Sequence, residues 1–294
     1  MCIRDRSVPV SVNDRTRFIY EAACCGLRDF FVKNGYKKAC VGVSGGIDSA
    51  VVACLAVAAL GAENVRGLMM PSQFSSEGSV EDAKQLAENL GIEFHVVPIT
   101  EAYRSIVDTL IPVIGGTDFD ATEENIQSRI RTLMLMALQN KNGYVLLNCS
   151  NKSENALGIC TLYGDTGGAF SVTGDLYKTE MYDLARYINR KFGAPIPENI
   201  LTKEPSSELR PNQKDSDMLP SYEVVDAILY RLIEDGQSRE EIINAGFDSD
   251  EVQKIYAMVM RNEKKRFQYP PVLRLSSSSF GHEYRMPLTH KYVK

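Results

Sequence analysis

The apolar run Ala39–Val43 passes without a break into Ser44-Gly45-Gly46-Ile47-Asp48-Ser49. From Asp48 an apolar helical pattern continues to Leu60, where Gly61 supplies a stop. So short an apolar run, bounded by glycines, predicts a strand buried on both faces. A buried strand that feeds directly into a helix belongs to a parallel sheet, because the helix carries the chain back over the sheet.

The same alternation continues downstream. Helical spacing over Asn13–Lys33 precedes the first strand, and strands are predicted at Val65–Met70, Ile92–Ile99 and Tyr144–Cys149. Between them lie a helix starting with Ser79 and Asp82 and ending near Gly91, one capped by Thr100, and one over Thr122–Asn140. Strands alternating with helices predict an α/β fold, a Rossmann-like parallel sheet flanked by helices. His95 alternates with apolar neighbours and reads as a strand side chain. After Ser150 the regularity breaks. Leu157–Phe170 is rich in glycine and reads as too flexible for core, Lys203–Pro220 is polar and carries proline, and the serine run in Leu275–Ser279 supports no inference by itself. Helical patterns at Lys178–Lys191, Tyr222–Glu234 and Asp248–Arg266 predict a helical C-terminal extension.

Composition excludes some functions. The chain has 294 residues, 44% hydrophobic and 24% charged, with a formal net charge of -5. No apolar run reaches the eighteen or so residues of a membrane span. A net negative charge disfavours nucleic acid as the main partner. The odd number of cysteines, seven, with no CxxC pair, predicts reduced thiols and a cytoplasmic location. Met1–Arg6 reads as a cloning or assembly scar, since its back-translation resembles a transposase end used for sequencing libraries. The expected organisation is a tail at 1–12 and one domain at 13–294, with the natural protein extending upstream.

The chemistry concentrates in Ser44–Ser49. Gly45 and Gly46 let the backbone approach a ligand closely. The following helix presents unpaired N–H groups and the positive end of its dipole. Ser44 and Ser49 are expected to add hydroxyl donors. The spacing is not that of a Walker A loop, and no lysine follows the glycines. Asp48 would repel a bound phosphate unless a cation lies between them, and Mg2+ suits carboxylate and phosphate oxygens. The string resembles the PP-loop ATP pyrophosphatases, which cleave ATP between the α and β phosphates.

Further motifs narrow the resemblance. Asn125 and Arg129 lie four apart in ENIQSRIR, on one helix face. NKSE at Asn151–Glu154 follows a strand end, where open parallel sheets place ligands, so Glu154 is a second candidate carboxylate or a helix cap. Taken with TLYGD, SSELRPNQKDSDMLPSYEVVDAIL, RNEKKR and PPVLRLSSSSFG, these strings resemble the NAD+ synthetases, in particular the synthetase half of the glutamine-dependent type, from about Asn13 to Leu288.

The resemblance implies an adenine nucleotide alpha hydrolase-like fold and a ligase that amidates deamido-NAD to NAD+ through an adenylate, using ATP and Mg2+. It implies ATP contacts at Gly42, Val43, Ser44, Gly45, Gly46, Ile47, Asp48, Ser49, Cys149, Lys178 and Ser206. It implies deamido-NAD contacts at Asn125, Arg129, Glu154, Asp165 and Lys265. Asp48 and Glu154 would hold the metal, with Asp48, Glu154 and Lys178 forming the catalytic set. Where the family usually has threonine, this chain has Cys149, followed by Ser150. A homodimer is implied, as is an amidase (nitrilase-like) domain supplying ammonia in the full-length protein. A PP-loop enzyme acting on tRNA would instead predict catalytic cysteine pairs and a basic surface. A nucleotide sensor would have no use for both Asp48 and Glu154.

Overall fold

The computed structural model describes residues 12–115, 118–211 and 213–290. The scar Met1–Arg6 lies outside the described residues, and of the expected tail only Val12 is described. Strands β1 (Lys38–Gly42), β2 (Val65–Met69), β3 (Glu93–Val96), β4 (Tyr144–Asn148) and β5 (Phe170–Ser171) form one sheet in the order β3-β2-β1-β4-β5. Every pairing is parallel, with Cys40 opposite Arg66 and Ala39 opposite Val145. After β3 the chain returns to the far side of β1 to lay down β4. The β1–β4 junction is therefore the switch point, where a crevice opens at the strands' C-terminal ends.

Helices cover both faces of the sheet. On one, α1 (Val12–Lys33), α2 (Ile47–Leu60), α3 (Glu77–Leu90) and α7 (Lys178–Lys191) bury Leu27, Phe31, Leu55, Leu86 and Leu184 against Val41 and Leu147. On the other, α4 (Thr100–Ile114) and α5 (Ala121–Asn142) bury Tyr103, Ile126, Ile130 and Leu135 against Cys40, Leu68 and Leu146. Each fully buried large apolar side chain contributes about 1.5–3 kcal/mol. The C-terminal region builds its own core from α6 (Lys152–Leu157), α9 (Tyr222–Ile233), α10 (Arg239–Asn244) and α11 (Ser249–Arg261), followed by the short α12 (Glu263–Arg266). The short α8 (Glu198–Thr202) precedes the proline-bearing segment.

Several expectations are corrected. Ser79 does not start α3: Ser76 is the cap, and its Oγ accepts the Ser79 N–H. Thr100 is the first residue of α4 rather than its cap. Asp120 caps α5 through a reciprocal box with Glu123. The pattern over Asp248–Arg266 is two helices broken at Asn262, whose side chain donates to Leu157 O. The ladder of β3 is shorter than the apolar run and mostly exposed, because β3 is the sheet edge. His95 does lie on that strand.

The glycine-rich segment is ordered and partly core. Thr161, Thr166 and Phe170 are buried, and Phe170 starts a fifth strand that periodicity did not indicate. The serine run also has a place. Lys152, fully buried, donates to Ser276 Oγ (2.7 Å) and Ser278 O (2.9 Å) and pairs with Asp175 (3.0 Å) and Glu234. Asp175 in turn accepts the N–H groups of Leu275 and Ser276, both at 2.7 Å. Breaking such a buried cluster by removing one partner costs about 3–5 kcal/mol.

Candidate active site

The chain leaves β1 at Val43, whose N–H still bonds Leu68 O (2.8 Å), and turns at Ser44 and Gly45. Gly45 has φ +78°, and a Cβ there would lie 2.2 Å from Ser79 O, so only glycine fits against the start of α3. Gly46 caps α2 without a side-chain bond, which leaves the helix's first N–H groups for a ligand. Ser44 and Ser49 line the cavity and also bond within the loop. The Ser49 hydroxyl donates to Gly46 O (3.1 Å) and accepts the Ser44 N–H (3.1 Å), while the Ser44 hydroxyl accepts the Gly46 N–H (3.2 Å). The two hydroxyls are 3.1 Å apart, so they staple the loop into shape. The Ile47 side chain is buried in the core and contributes only backbone.

Asp48 sits in the first turn of α2 at the centre of a charged cluster. Its Oδ2 accepts from Lys178 Nζ (2.6 Å) and its Oδ1 from Asn151 Nδ2 (3.0 Å). Lys178 also reaches Glu154 Oε1 at 3.4 Å. Asn151 and Glu154 form the capping box of α6, so Glu154 caps the helix and faces the cluster at once. Burial by itself would pull the Lys178 pKa down, but Asp48 and Glu154 raise it well above the usual lysine value. Burial and the charge of Asp48 push the Glu154 carboxyl up, and Lys178 only partly offsets them. Two carboxylates thus share one lysine.

Beside the cluster lies a cavity of about 310 Å³. Its floor is apolar, with Leu68, Leu135 and Leu146. Its walls are the phosphate loop, the Cys149–Ser150 end of β4, the turn at Gly164–Asp165, the α5 face with Ser128 and Arg131, and a strap at 203–209. Of the expected residues, Gly42, Val43, Ser44, Gly46, Asp48, Ser49, Cys149, Glu154, Asp165 and Ser206 line it. Lys178 lies behind the two carboxylates, its side chain 4% exposed. Ser206 Oγ donates to Gln213 O (2.5 Å) and shapes the strap. Asp165 is open to the cavity, yet the surrounding protein raises its pKa to about 6 by desolvation. Burial also pushes the Cys149 thiol far up, so it stands in the wall as a neutral group.

Asn125, Arg129 and Lys265 lie outside this lining but bond one segment, 158–162. Asn125 accepts from Thr161 Oγ1 (2.6 Å), Arg129 Nε donates to Leu162 O (3.2 Å), and Lys265 Nζ donates to Gly158 O (2.6 Å) and Cys160 O (2.8 Å). All three brace the turn that carries Asp165. In RNEKKR, Glu263 and Arg266 are buried.

Sequence reasoning missed Asn151, Arg131 and the strap's Glu208. Asn151 was legible in principle, as the first residue of an N-x-x-E capping signature. Glu208 accepts from Ser76 N (3.2 Å), Ser76 Oγ (2.7 Å) and Ser79 Oγ (2.8 Å), which ties the strap to the start of α3. No sequence signal pairs these two distant segments.

The donor set suits Mg2+. Asp48 and Glu154 are hard oxygen donors gathered around Lys178. Among the described residues no three His, Cys, Asp or Glu side chains gather as a complete metal site. An ion held by two carboxylates and completed by phosphate and water oxygens is the usual arrangement for Mg2+.

Comparison with known proteins agrees with this geometry. The NAD synthase family model matches residues 19–269. The glutamine-dependent NAD(+) synthetase of Aquifex aeolicus is 52% identical over 276 residues, covering 94% of this chain and 48% of that protein. The chain thus spans about half the length of the curated relatives it matches. The structure of glutamine-dependent NAD+ synthetase from Acinetobacter baumannii in complex with ADP is 41% identical with a TM-score of 0.63, covering 93% of this chain and 49% of that one. The NH3-dependent NAD synthetase of Campylobacter jejuni is 30% identical with a TM-score of 0.67, covering 85% and 95%. A phosphate loop at the sheet's switch point, two carboxylates on one lysine and a family match across most of the chain lead to one statement: this chain belongs to the NAD synthase family.

Proposed function

We propose that this chain converts deamido-NAD to NAD+ at the expense of ATP. The observation that carries the reading is the Asp48–Lys178–Glu154 cluster at the edge of the cavity formed by the phosphate loop. Residues 13–294 act as one synthetase unit. ATP lies with its phosphates on the amides of Ser44–Ser49. Asp48 and Glu154 hold Mg2+, which supplies charge neutralisation on the phosphates when bound. Lys178 fixes the two carboxylates from behind. Asp165, on the turn braced by Asn125, Arg129 and Lys265, faces deamido-NAD.

A carboxylate is a poor electrophile, so the acid must first be activated. A nicotinate carboxylate oxygen attacks the α-phosphorus, the bond to the β-phosphate oxygen breaks, and pyrophosphate leaves. Ammonia then adds to the acyl carbon, AMP departs, and the nitrogen gives up its surplus proton to solvent. The helix N-terminus at α2 stabilises charge on the oxygens, and the cavity walls hold the reactants in line.

Ammonia enters free or from an amidase domain of the full-length protein. Every described cysteine with a resolved shift, namely Cys24, Cys40, Cys54, Cys149 and Cys160, has its pKa raised, contrary to an activated thiolate. The chain forms a homodimer, supported by the exposed Leu133 (67%) and Met136 (44%). Both continue the helical face of Arg129. The protein works in the cytoplasm, in keeping with free thiols; among the described residues no helix is long and apolar enough to cross a membrane.

The test is an assay of the purified chain with ATP, Mg2+, deamido-NAD and either ammonium or glutamine. Pyrophosphate release should require deamido-NAD, and NAD+ should form with ammonium, faster as pH rises and frees ammonia. Pyrophosphate release indifferent to deamido-NAD would overturn the reading. Glutamine-driven synthesis would overturn the nitrogen assignment.

A further inference from the structure

Arg131 follows Arg129 by two positions on α5, so their side chains leave roughly opposite sides of the helix. Arg129 is exposed and bonds Leu162 O, whereas Arg131 turns inward and lines the cavity. Its Nε donates to Met70 O (2.9 Å), just beyond the end of β2. That single bond orients the guanidinium plane. Among the described residues Arg131 has no other hydrogen bond and no carboxylate within ion-pair distance. Glu208 and Asp165 act on it only at longer range. Burial lowers its pKa to about 10, which leaves it charged at neutral pH.

Arg266 shows what a structural buried arginine looks like in this chain. Its Nε donates to Glu263 Oε2 (2.9 Å), its Nη1 to Ala156 O (2.8 Å) and its Nη2 to Val259 O (2.6 Å). All three nitrogens are satisfied and the charge is paired. Arg131 has one nitrogen satisfied and its two-nitrogen fork left toward the cavity. A partly buried charge whose unpaired donors face a cavity is placed to meet an anion there. The fork geometry matches two oxygens of a carboxylate or phosphate.

We propose that Arg131 is an oxyanion-binding residue of this cavity, its guanidinium fork taking a phosphate of the nucleotide or the carboxylate of the acid substrate in a two-pronged pair. The assignment rests on the reading of the cavity given under Proposed function. It adds a cation that approaches the ligand from the α5 wall.

Calorimetric binding of ATP, adenosine, deamido-NAD and NAD+ to wild type, Arg131→Lys and Arg131→Met tests it without relying on turnover. Phosphate recognition predicts about a ten- to hundredfold loss of ATP affinity in Arg131→Met with adenosine unchanged. Carboxylate recognition predicts the same loss for deamido-NAD with NAD+ unchanged. Arg131→Lys, which keeps the charge but not the fork, should fall between wild type and Arg131→Met. Should Arg131→Met fail to fold, the lysine variant decides by the same ligand pairs. Equal loss for all four ligands would reduce Arg131 to a tie between α5 and β2, and unchanged affinities would also overturn the proposal. Failure of wild type to bind any of the four would instead reject the reading of the cavity.

Discussion

Lys178 Nζ lies 2.6 Å from Asp48 Oδ2 and 3.4 Å from Glu154 Oε1, beneath the cavity rather than within it. The lysine expected to meet ATP directly therefore acts first on the two carboxylates that face the ligand. Removing Asp48 would change the proposed metal site and the lysine together.

Asp48→Asn should abolish pyrophosphate release while leaving the fold in place. Glu154 remains as counter-charge to Lys178, so the stability loss should stay near about 1–3 kcal/mol. Circular dichroism, thermal melting and a pyrophosphate assay would check both halves. Near-normal turnover with Mg2+ would sink the metal assignment.

Lys265→Ala should weaken deamido-NAD binding more than ATP binding. The lysine holds the carbonyls of Gly158 and Cys160, and through them the turn that presents Asp165. Separate titrations of the two ligands decide the point. Equal losses would mean that Lys265 serves only stability.

Cys149→Thr should leave ATP affinity equal or improved. The thiol stands in the cavity wall and makes only a weak contact to Leu147 O at 3.9 Å, which a hydroxyl of similar reach can replace. A large loss of binding would show that the wall is fitted to sulfur.

Glu208→Ala should loosen the strap. Glu208 holds φ +49°, unfavourable for a non-glycine residue, and its three bonds to Ser76 and Ser79 offset that strain. Loss of these bonds should raise the Kd for ATP roughly tenfold. It should also speed trypsin cleavage at Lys214. A strap cut no faster than in wild type would refute the tie.

Stability should fall as pH rises from about 4 to 6, through Asp226. Its carboxylate accepts from Ser153 Oγ (2.5 Å) and Thr179 N (2.8 Å), yet burial raises its pKa from 3.8 to about 6. Between those values the folded chain keeps the proton and the unfolded chain has lost it. Unfolding then releases a proton, so stability declines with pH across this window, by about 3 kcal/mol at most, and levels off above it. Asp226→Asn removes this slope, so its Tm relative to wild type should climb by roughly 5 °C from pH 4 to 6. A constant difference across that range would contradict the assignment.

Much of this molecule was legible as pattern. The β1 and β4 runs are buried on both faces and read as continuous apolar stretches, and SGGIDS lies where those runs predict. What escaped depends on partners far away in the chain. β5 is two residues long and exists because Phe170 pairs beside Leu147. The serine run acquires its role only from Lys152 and Asp175. Arg131 and Arg129 are chemically alike and adjacent on the helix, and only the packing of α5 sends one inward.

Lys178 is also the first residue of α7, where the helix dipole favours an acid over a base. The fold is thus locally frustrated at its chemical centre: helix propensity argues against the lysine, and burial argues against all three charges. Each member lowers the cost of holding the other two. Neutralising Lys178 alone would ease α7 but set two partly buried carboxylates against each other. The triad therefore behaves as one unit under substitution, and double-mutant energies within it should depart strongly from additivity.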